Sequence, residues 1–266
     1  MSGQAAARRI IICADDFGMN PAVDQAVLEL ARLGRLNATS CLVDGPLFAE
    51  DARALRQSGL SAGLHLNFTE SYPGMSVAEP LSTLIRKAYL RRLDAVAVRG
   101  QVARQFDRFE DLMGGAPDFV DGHQHVHQLP QIRDALLEEM ARRYPGEGPW
   151  LRYTRAPMQP GVPWRHRFKA AVIQALGSGA LARRAAGRHR MSRRLLGVYD
   201  FQGGGEAYAA LLAHWLDQMR DGDLLMCHPA SHIIGEDPLG AQRVAEFRVL
   251  AEPETGRRLA SLALAP

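Results

Sequence analysis

Short apolar runs recur along the chain, and each ends abruptly in polar or glycine-containing text. They are "RRIIICADD" (8–16), "NATSCLVDG" (37–45), "LSAGLHLN" (60–67), "PDFVDGHQH" (117–125), "WLRYTRAP" (150–157) and "GDLLMCHP" (222–229). Near-continuous runs of this length suit strands buried on both faces. Between many of them apolar residues return at helical spacing. In "NPAVDQAVLELARLG" Asn20 can cap, Pro21 takes the first turn, Val23, Val27 and Leu30 share a face, and Gly34 closes the helix. "PQIRDALLEEMARRYPG" (130–146) repeats the device, with Ile132, Leu136, Leu137 and Met140 inward. "AYAALLAHWLDQMRDG" (207–222) is a third helix. Strand–helix alternation predicts an α/β fold with a parallel sheet and crossover helices. No internal repeat is visible. Residues 160–205, closing in "GGG", read as an insertion or irregular arm within a single domain spanning 1–266.

Composition adds bounds. The chain has 266 residues, 47% hydrophobic and 23% charged, enough for one large α/β barrel domain. Cys13, Cys41 and Cys227 lie in or beside apolar runs with no paired spacing, which reads as reduced thiols. The N-terminal apolar run is too short for a signal-peptide core, and no window approaches a membrane helix, so a cytoplasmic location is expected. Net charge is +3, but residues 151–200 hold eleven Lys/Arg against Asp200 alone, leaving −7 for everything else. This basic arm (about 160–198) is either a solvated face or the seat of an anionic partner: a membrane surface, or a lipid-linked or phosphorylated substrate. No nucleic-acid motif accompanies it, so no nucleic-acid partner is expected.

The ionisable residues collect at the strand ends. Asp15 and Asp16 follow "IIICA", His65 ends "AGLHL", Asp121, His123 and His125 follow "DFV", and His228 follows "LLMC". In barrels and open parallel sheets those ends share one rim, and that rim hosts the active site. In "FVDGHQHVHQLP" an extended segment would turn Asp121, His123, His125 and His127 to one side. A helix would instead pair His123 with His127. Either geometry suits a metal. Asp15 and Asp16, pointing different ways, could divide cation binding from proton handling. Phe17, Trp150, Arg152 and Tyr153 fall near the same rim and are candidate substrate contacts. His166, His189, His214 and His232 fall on helical, loop or basic stretches and read as structural or surface groups.

These stretches, together with "ICADDFGMNPAVDQAV", "TSCLVDG", "AGLHLNFTE", "PDFVDGHQHVHQLPQI", "LRYTRAP", "GVYDFQG" and "LLMCHPA", resemble the YdjC-like carbohydrate deacetylases. That family includes chitooligosaccharide deacetylases and members associated with hopanoid biosynthesis. The likeness runs in family order over about residues 9–235, and "LGAQRVAEFRVL" is similar to the family's C-terminal segment. It departs at Gln124, where members close to the chitobiose enzymes tend to carry histidine, and in the basic arm.

The resemblance implies a distorted (β/α) TIM-like barrel of the glycoside hydrolase/deacetylase type. It implies one divalent metal ion, usually described as magnesium, held by Asp16, His65 and His123. Asp15 would then be the catalytic base and His228 the acid or stabiliser, with His125 and His127 either supporting the ligands from behind or touching substrate. The donor set alone suits zinc, iron or manganese at least as well. Such a site matches amide hydrolysis, which needs a Lewis acid, a base for water and an acid for the leaving amine. The expected activity is removal of the N-acetyl group from an amino sugar, oligosaccharide or sugar-bearing lipid. A metal-dependent hydrolase of a phosphoester or another amide, or a non-catalytic glycan-binding descendant, are the alternatives. Family members often form homodimers.

Overall fold

In the computed structural model, residues 10–235 and 237–262 are described; Arg8 and Arg9, expected in the first strand, and the rest of the N-terminal stretch lie outside them. The apolar runs form seven strands: β1 (Ile11–Phe17), β2 (Ala38–Cys41), β3 (Ser61–Leu66), β4 (Phe119–Gly122), β5 (Trp150–Leu151), β6 (Leu195–Leu196) and β7 (Leu224–Cys227). Nearly every strand residue is buried, as the unbroken apolar runs require. All neighbours are parallel, in the order β5-β4-β3-β2-β1-β7-β6. The two edges also meet. Leu151 bridges Met191 in parallel, and the Leu195 N–H donates to the Arg155 carbonyl at 2.8 Å. The sheet therefore curls into the expected distorted barrel.

Helices α1 (Pro21–Arg32), α2 (Phe48–Gln57), α3 (Leu81–Tyr89), α4 (Ala95–Met113), α5 (Ile132–Arg143), α6 (Trp164–Ala175), α7 (Ser178–Ala185), α8 (Gly204–Gln218), α9 (Gly240–Ala251) and α10 (Pro253–Ser261) follow in chain order. The Asn20 side chain accepts from the Ala22 and Val23 N–H groups at 3.0 and 3.1 Å, and Val23, Val27 and Leu30 are buried. Such a cap contributes about 1 kcal/mol. On α5, Ile132, Leu136 and Met140 are inward as expected, while Leu137 is only partly buried.

Two expectations change. The strand expected over 150–157 is regular only at Trp150 and Leu151; beyond them single bonds remain, from the Arg152 N–H to the Val120 carbonyl at 3.1 Å and from the Leu195 N–H to the Arg155 carbonyl. The stretch read as an arm contains α6, α7 and the edge strand β6, whose two residues are too few to show a period. The three cysteines are free and buried. No helix among the described residues is long and apolar enough to cross a membrane.

Candidate active site and metal centre

Parallel register sets the rim. His65 lies beside Asp121, and Ala14 beside both Thr39 and Cys227, so the residues following β1 and β7 meet those on β2, β3 and β4. Asp16 has φ +73°, a left-handed conformation that costs a non-glycine residue about 1–3 kcal/mol. That twist sends the two aspartates to different partners.

Asp16 faces the histidines. Its Oδ1 lies 3.0 Å from His123 Nδ1 and 3.5 Å from His65 Nε2, while its Oδ2 accepts from Arg243 Nη2 at 2.8 Å. Burial pushes the Asp16 carboxyl up, but Arg243 and His123 outweigh it and hold it well below the usual range. Asp16, His65 and His123 each offer one donor atom, and those atoms lie within 4.8 Å of one another. Donors about 2.1 Å from a shared ion and about 90–110° apart are separated by about 3.0–3.4 Å. The 3.0 Å Asp16–His123 distance lies in that range, and the 3.5 Å Asp16–His65 distance is just beyond it. The group therefore fits a divalent metal.

The outer contacts fit it too. His65 Nδ1 lies 2.6 Å from Asp121 Oδ1, which also accepts from the Ser40 hydroxyl. A ligating imidazole backed in this way by a carboxylate presents its other nitrogen to the metal. Burial pushes His65 down, yet Asp121 dominates and lifts it to about 10. Without an ion, His65 is the extra cation the buried acids demand.

A second acidic group, Asp15, His65 and Asp121, already contains its own cation. Arg152 is wholly buried and donates to both oxygens of Asp15 at 2.6 Å, and its Nη2 lies 2.5 Å from Asp121 Oδ2. Burial raises Asp15, but Arg152 overrides it and holds the carboxyl far below its ordinary value. Arg152 thus sits behind the carboxylates, with no surface left to touch the substrate expected there. The other expected substrate contacts also lie elsewhere. Phe17 is buried, edge-on to Phe48. Trp150 stacks on Phe119 at 4.4 Å, and Tyr153 lines a separate groove beside Pro130 and Arg133.

The histidine run is neither extended nor a regular helix. Strand β4 stops at Gly122, where a Cβ would meet the His127 nitrogen at 2.8 Å, and residues 123–128 form a 3-10 segment kinked by positive φ at Gln124 and His125. As a result His123 and His125 line the cavity, while His127 turns inward to the Arg152 carbonyl at 3.1 Å. Burial pushes His127 down to about 4. His125 is lowered by burial and by Arg152.

His228 Nε2 lies 3.8 Å from Asp15 Oδ2, and burial holds its imidazole down at about 4 against the pull of Asp16 and Asp15. Its backbone N–H donates to Glu246 at 2.6 Å, and Tyr199 donates its hydroxyl to the same carboxyl at 2.5 Å. Burial pushes Glu246 up to about 7. Arg243 and Glu246 both come from α9, within the segment "LGAQRVAEFRVL", to which the sequence reading gave no role. Glu70, 3.4 Å from His123 Nε2, was missed as well.

Asp15, Asp16, His65, His123 and His228 open into a cavity of about 300 Å³. The same cavity is also lined by aliphatic side chains, among them Leu81 and Ile85 on α3 and Ile173 and Leu176 at the end of α6, and by Lys169 and Phe201. Lys169 donates to the Tyr199 carbonyl and lies 4.7 Å from the Phe201 ring centroid.

Known proteins can now be set beside this geometry. A carbohydrate deacetylase of Mus musculus is 31% identical over 167 residues, covering 58% of this chain and 52% of its own length. A chitooligosaccharide deacetylase of Serratia marcescens is 33% identical over 142 residues, covering 50% and 55%. The chain thus spans about half the length of the curated relatives it matches. An Enterococcus faecalis structure, provisionally assigned to cellobiose-phosphate cleavage, superposes with TM-score 0.67 at 21% identity over 97% of this chain and 96% of its own. A family 4 carbohydrate esterase of Streptomyces lividans, in complex with acetate, gives TM-score 0.50 at 12% identity over 98% and 92%. Both show the same fold. The profile of the YdjC-like proteins matches residues 9–261, and the chain belongs to that family.

Proposed function

We propose that the protein is a metal-dependent hydrolase that removes the N-acetyl group from an acetylated amino sugar or oligosaccharide. One observation carries this reading: an Asp16–His65–His123 donor group stands beside a proton-handling pair, Asp15 and His228, in one cavity. The printed activities of the curated relatives agree with it.

Asp16, His65 and His123 would hold the ion. Bound there, it supplies a Lewis acid that polarises the acyl oxygen and makes water more acidic. Two imidazoles and one carboxylate favour zinc, manganese or iron over magnesium, which takes oxygen donors. Arg243 occupies Asp16 Oδ2 and so leaves Oδ1 for ligation. Asp15 is kept ionised and oriented by Arg152, ready to accept the proton of the attacking water. His228 Nε2 stands 3.8 Å from Asp15 Oδ2, beyond direct hydrogen-bond reach, so one bridging water would pass the proton to it before the departing amine takes it. His228 is neutral at rest and therefore able to receive that proton. Glu246 fixes the His228 backbone.

The test is acetate release from a panel of N-acetylated sugars by metal-loaded protein. Turnover that Asp15→Asn abolishes without loss of bound metal supports the reading. Release from no member of the panel, with metal bound and the fold intact, overturns it.

A further inference from the structure

Helix α6 is apolar on two faces. Inward, Ile173 and Leu176 at its end line the cavity and Ala170 is buried. Outward, Trp164 is 72% exposed, Phe168 64% and Val172 42%. Their spacing of four residues places them in one stripe along the helix, and Ala171 and Ala175 beside them are exposed too. Exposed Arg165 and Arg167 border the stripe. A single surface phenylalanine needs no explanation, but a contiguous stripe containing Trp and Phe marks a contact surface.

The stripe does not stand alone. Helix α3, which gives Leu81 and Ile85 to the cavity, runs out into Tyr89 and Leu90, 49% and 54% exposed. Tyr89 shares a surface groove with Ala171, Gln174 and Ala175 of α6 and with Arg183 of α7. The two helices that give aliphatic side chains to the cavity thus also carry apolar groups into solvent. Arg167 and Arg183 make no ion pair among the described residues, whereas Arg165 pairs with Asp200 at 2.9 Å.

We propose that this stripe is a docking surface for an anionic lipid bilayer. Trp164, Phe168 and Val172 enter the headgroup boundary, while Arg167 and Arg183 meet lipid phosphates. A helix with aromatic and aliphatic residues on one side and arginines flanking them has the chemistry of an interfacial helix. A second copy of the chain is a poor occupant, because it would set the unpaired Arg167 and Arg183 beside one stripe against those beside the other. Docking would hold the surface around the cavity against the bilayer.

The experiment uses the full, metal-loaded chain with vesicles of phosphatidylcholine alone and of phosphatidylcholine mixed with phosphatidylglycerol. The wild type co-sediments with the mixed vesicles, less so as salt rises, and its tryptophan emission shifts to shorter wavelength as Trp164 leaves water. W164S/F168S keeps the thermal midpoint and metal content but binds at least about tenfold more weakly. R167E/R183E loses the preference for anionic vesicles. A wild type that stays in the supernatant with both vesicles overturns the proposal, as does unchanged binding by W164S/F168S. A wild-type dimer that W164S/F168S dissociates would assign the stripe to a second copy instead. None of these readouts needs turnover, so their failure leaves the deacetylase reading standing.

Discussion

The cavity is lined by two kinds of group: five ionisable side chains at the ends of paired strands, and aliphatic side chains that include four from α3 and the end of α6. The two kinds differ in what fixes them. Asp15, Asp16 and Asp121 are buried with Arg152 and Arg243, and every one of these groups is held by another member. Three buried carboxylates face two guanidiniums, so one more cation is required, which a divalent ion or a protonated His65 supplies. The aliphatic group has no such reciprocity. Its side chains touch through dispersion alone and tolerate exchange of shape. On the proposed function, the chemistry belongs to the charged group and the fit of the rest of the substrate to the aliphatic one.

That contrast breaks most completely at the metal ligands. His65→Ala or Asp16→Ala should lower acetate release by about three orders of magnitude or more, since the Lewis acid is lost with the ion. Chelator treatment of the wild type should match it, and readdition of metal should restore only the wild type. Next comes Arg152→Met. It leaves Asp15 and Asp121 buried without their cation and should cost about 3–5 kcal/mol in denaturant unfolding. A loss below about 1 kcal/mol would mean that the two carboxylates are not held as described.

In the aliphatic group the effects should be smaller and of another kind. Ile173→Trp should raise KM about three- to tenfold with kcat and metal content nearly unchanged, because it alters space rather than charge. A collapse of kcat would show that α6 also orders the charged group. The smallest effect lies away from both. Asp24 is pushed up to about 8, chiefly by burial, so the folded chain keeps a proton that the unfolded chain has released above about pH 4. Its contribution to stability is full below that pH and is lost as pH rises through about 8. Asp24→Asn should therefore gain on the wild type between pH 5 and pH 8.5 in parallel unfolding curves.

The same contrast explains how much could be read from the chain. Strand ends carrying Asp15, Asp16, His65, His123 and His228 were legible, because buried parallel strands are unbroken apolar runs and an acid or histidine closing one stands out. Arg243 and Glu246 were not, since each looks like an ordinary charge on an amphipathic helix until α9, packed on α8 and α1, brings them to Asp16 and to the His228 N–H. Arg152 was assigned to the substrate because an arginine after a strand normally reaches solvent; only the two carboxylates behind it draw it inward. His127 was misdirected by the kink after Gly122, which depends on positive φ at Gln124 and His125 and has no periodic signature. The outer stripe of α6 was hidden because a helix apolar on two faces has no single amphipathic face to detect.

The central claim is that Asp16, His65 and His123 form one metal site. It is tested most directly by measuring metal content and identity in protein purified without chelator, wild type beside His65→Ala/His123→Ala. About one divalent ion per wild-type chain and none in the variant are expected, with protons released when apo wild type takes up metal, since His65 is lifted to about 10 without it. No metal in either protein after soaking with zinc, manganese, iron and magnesium would contradict it.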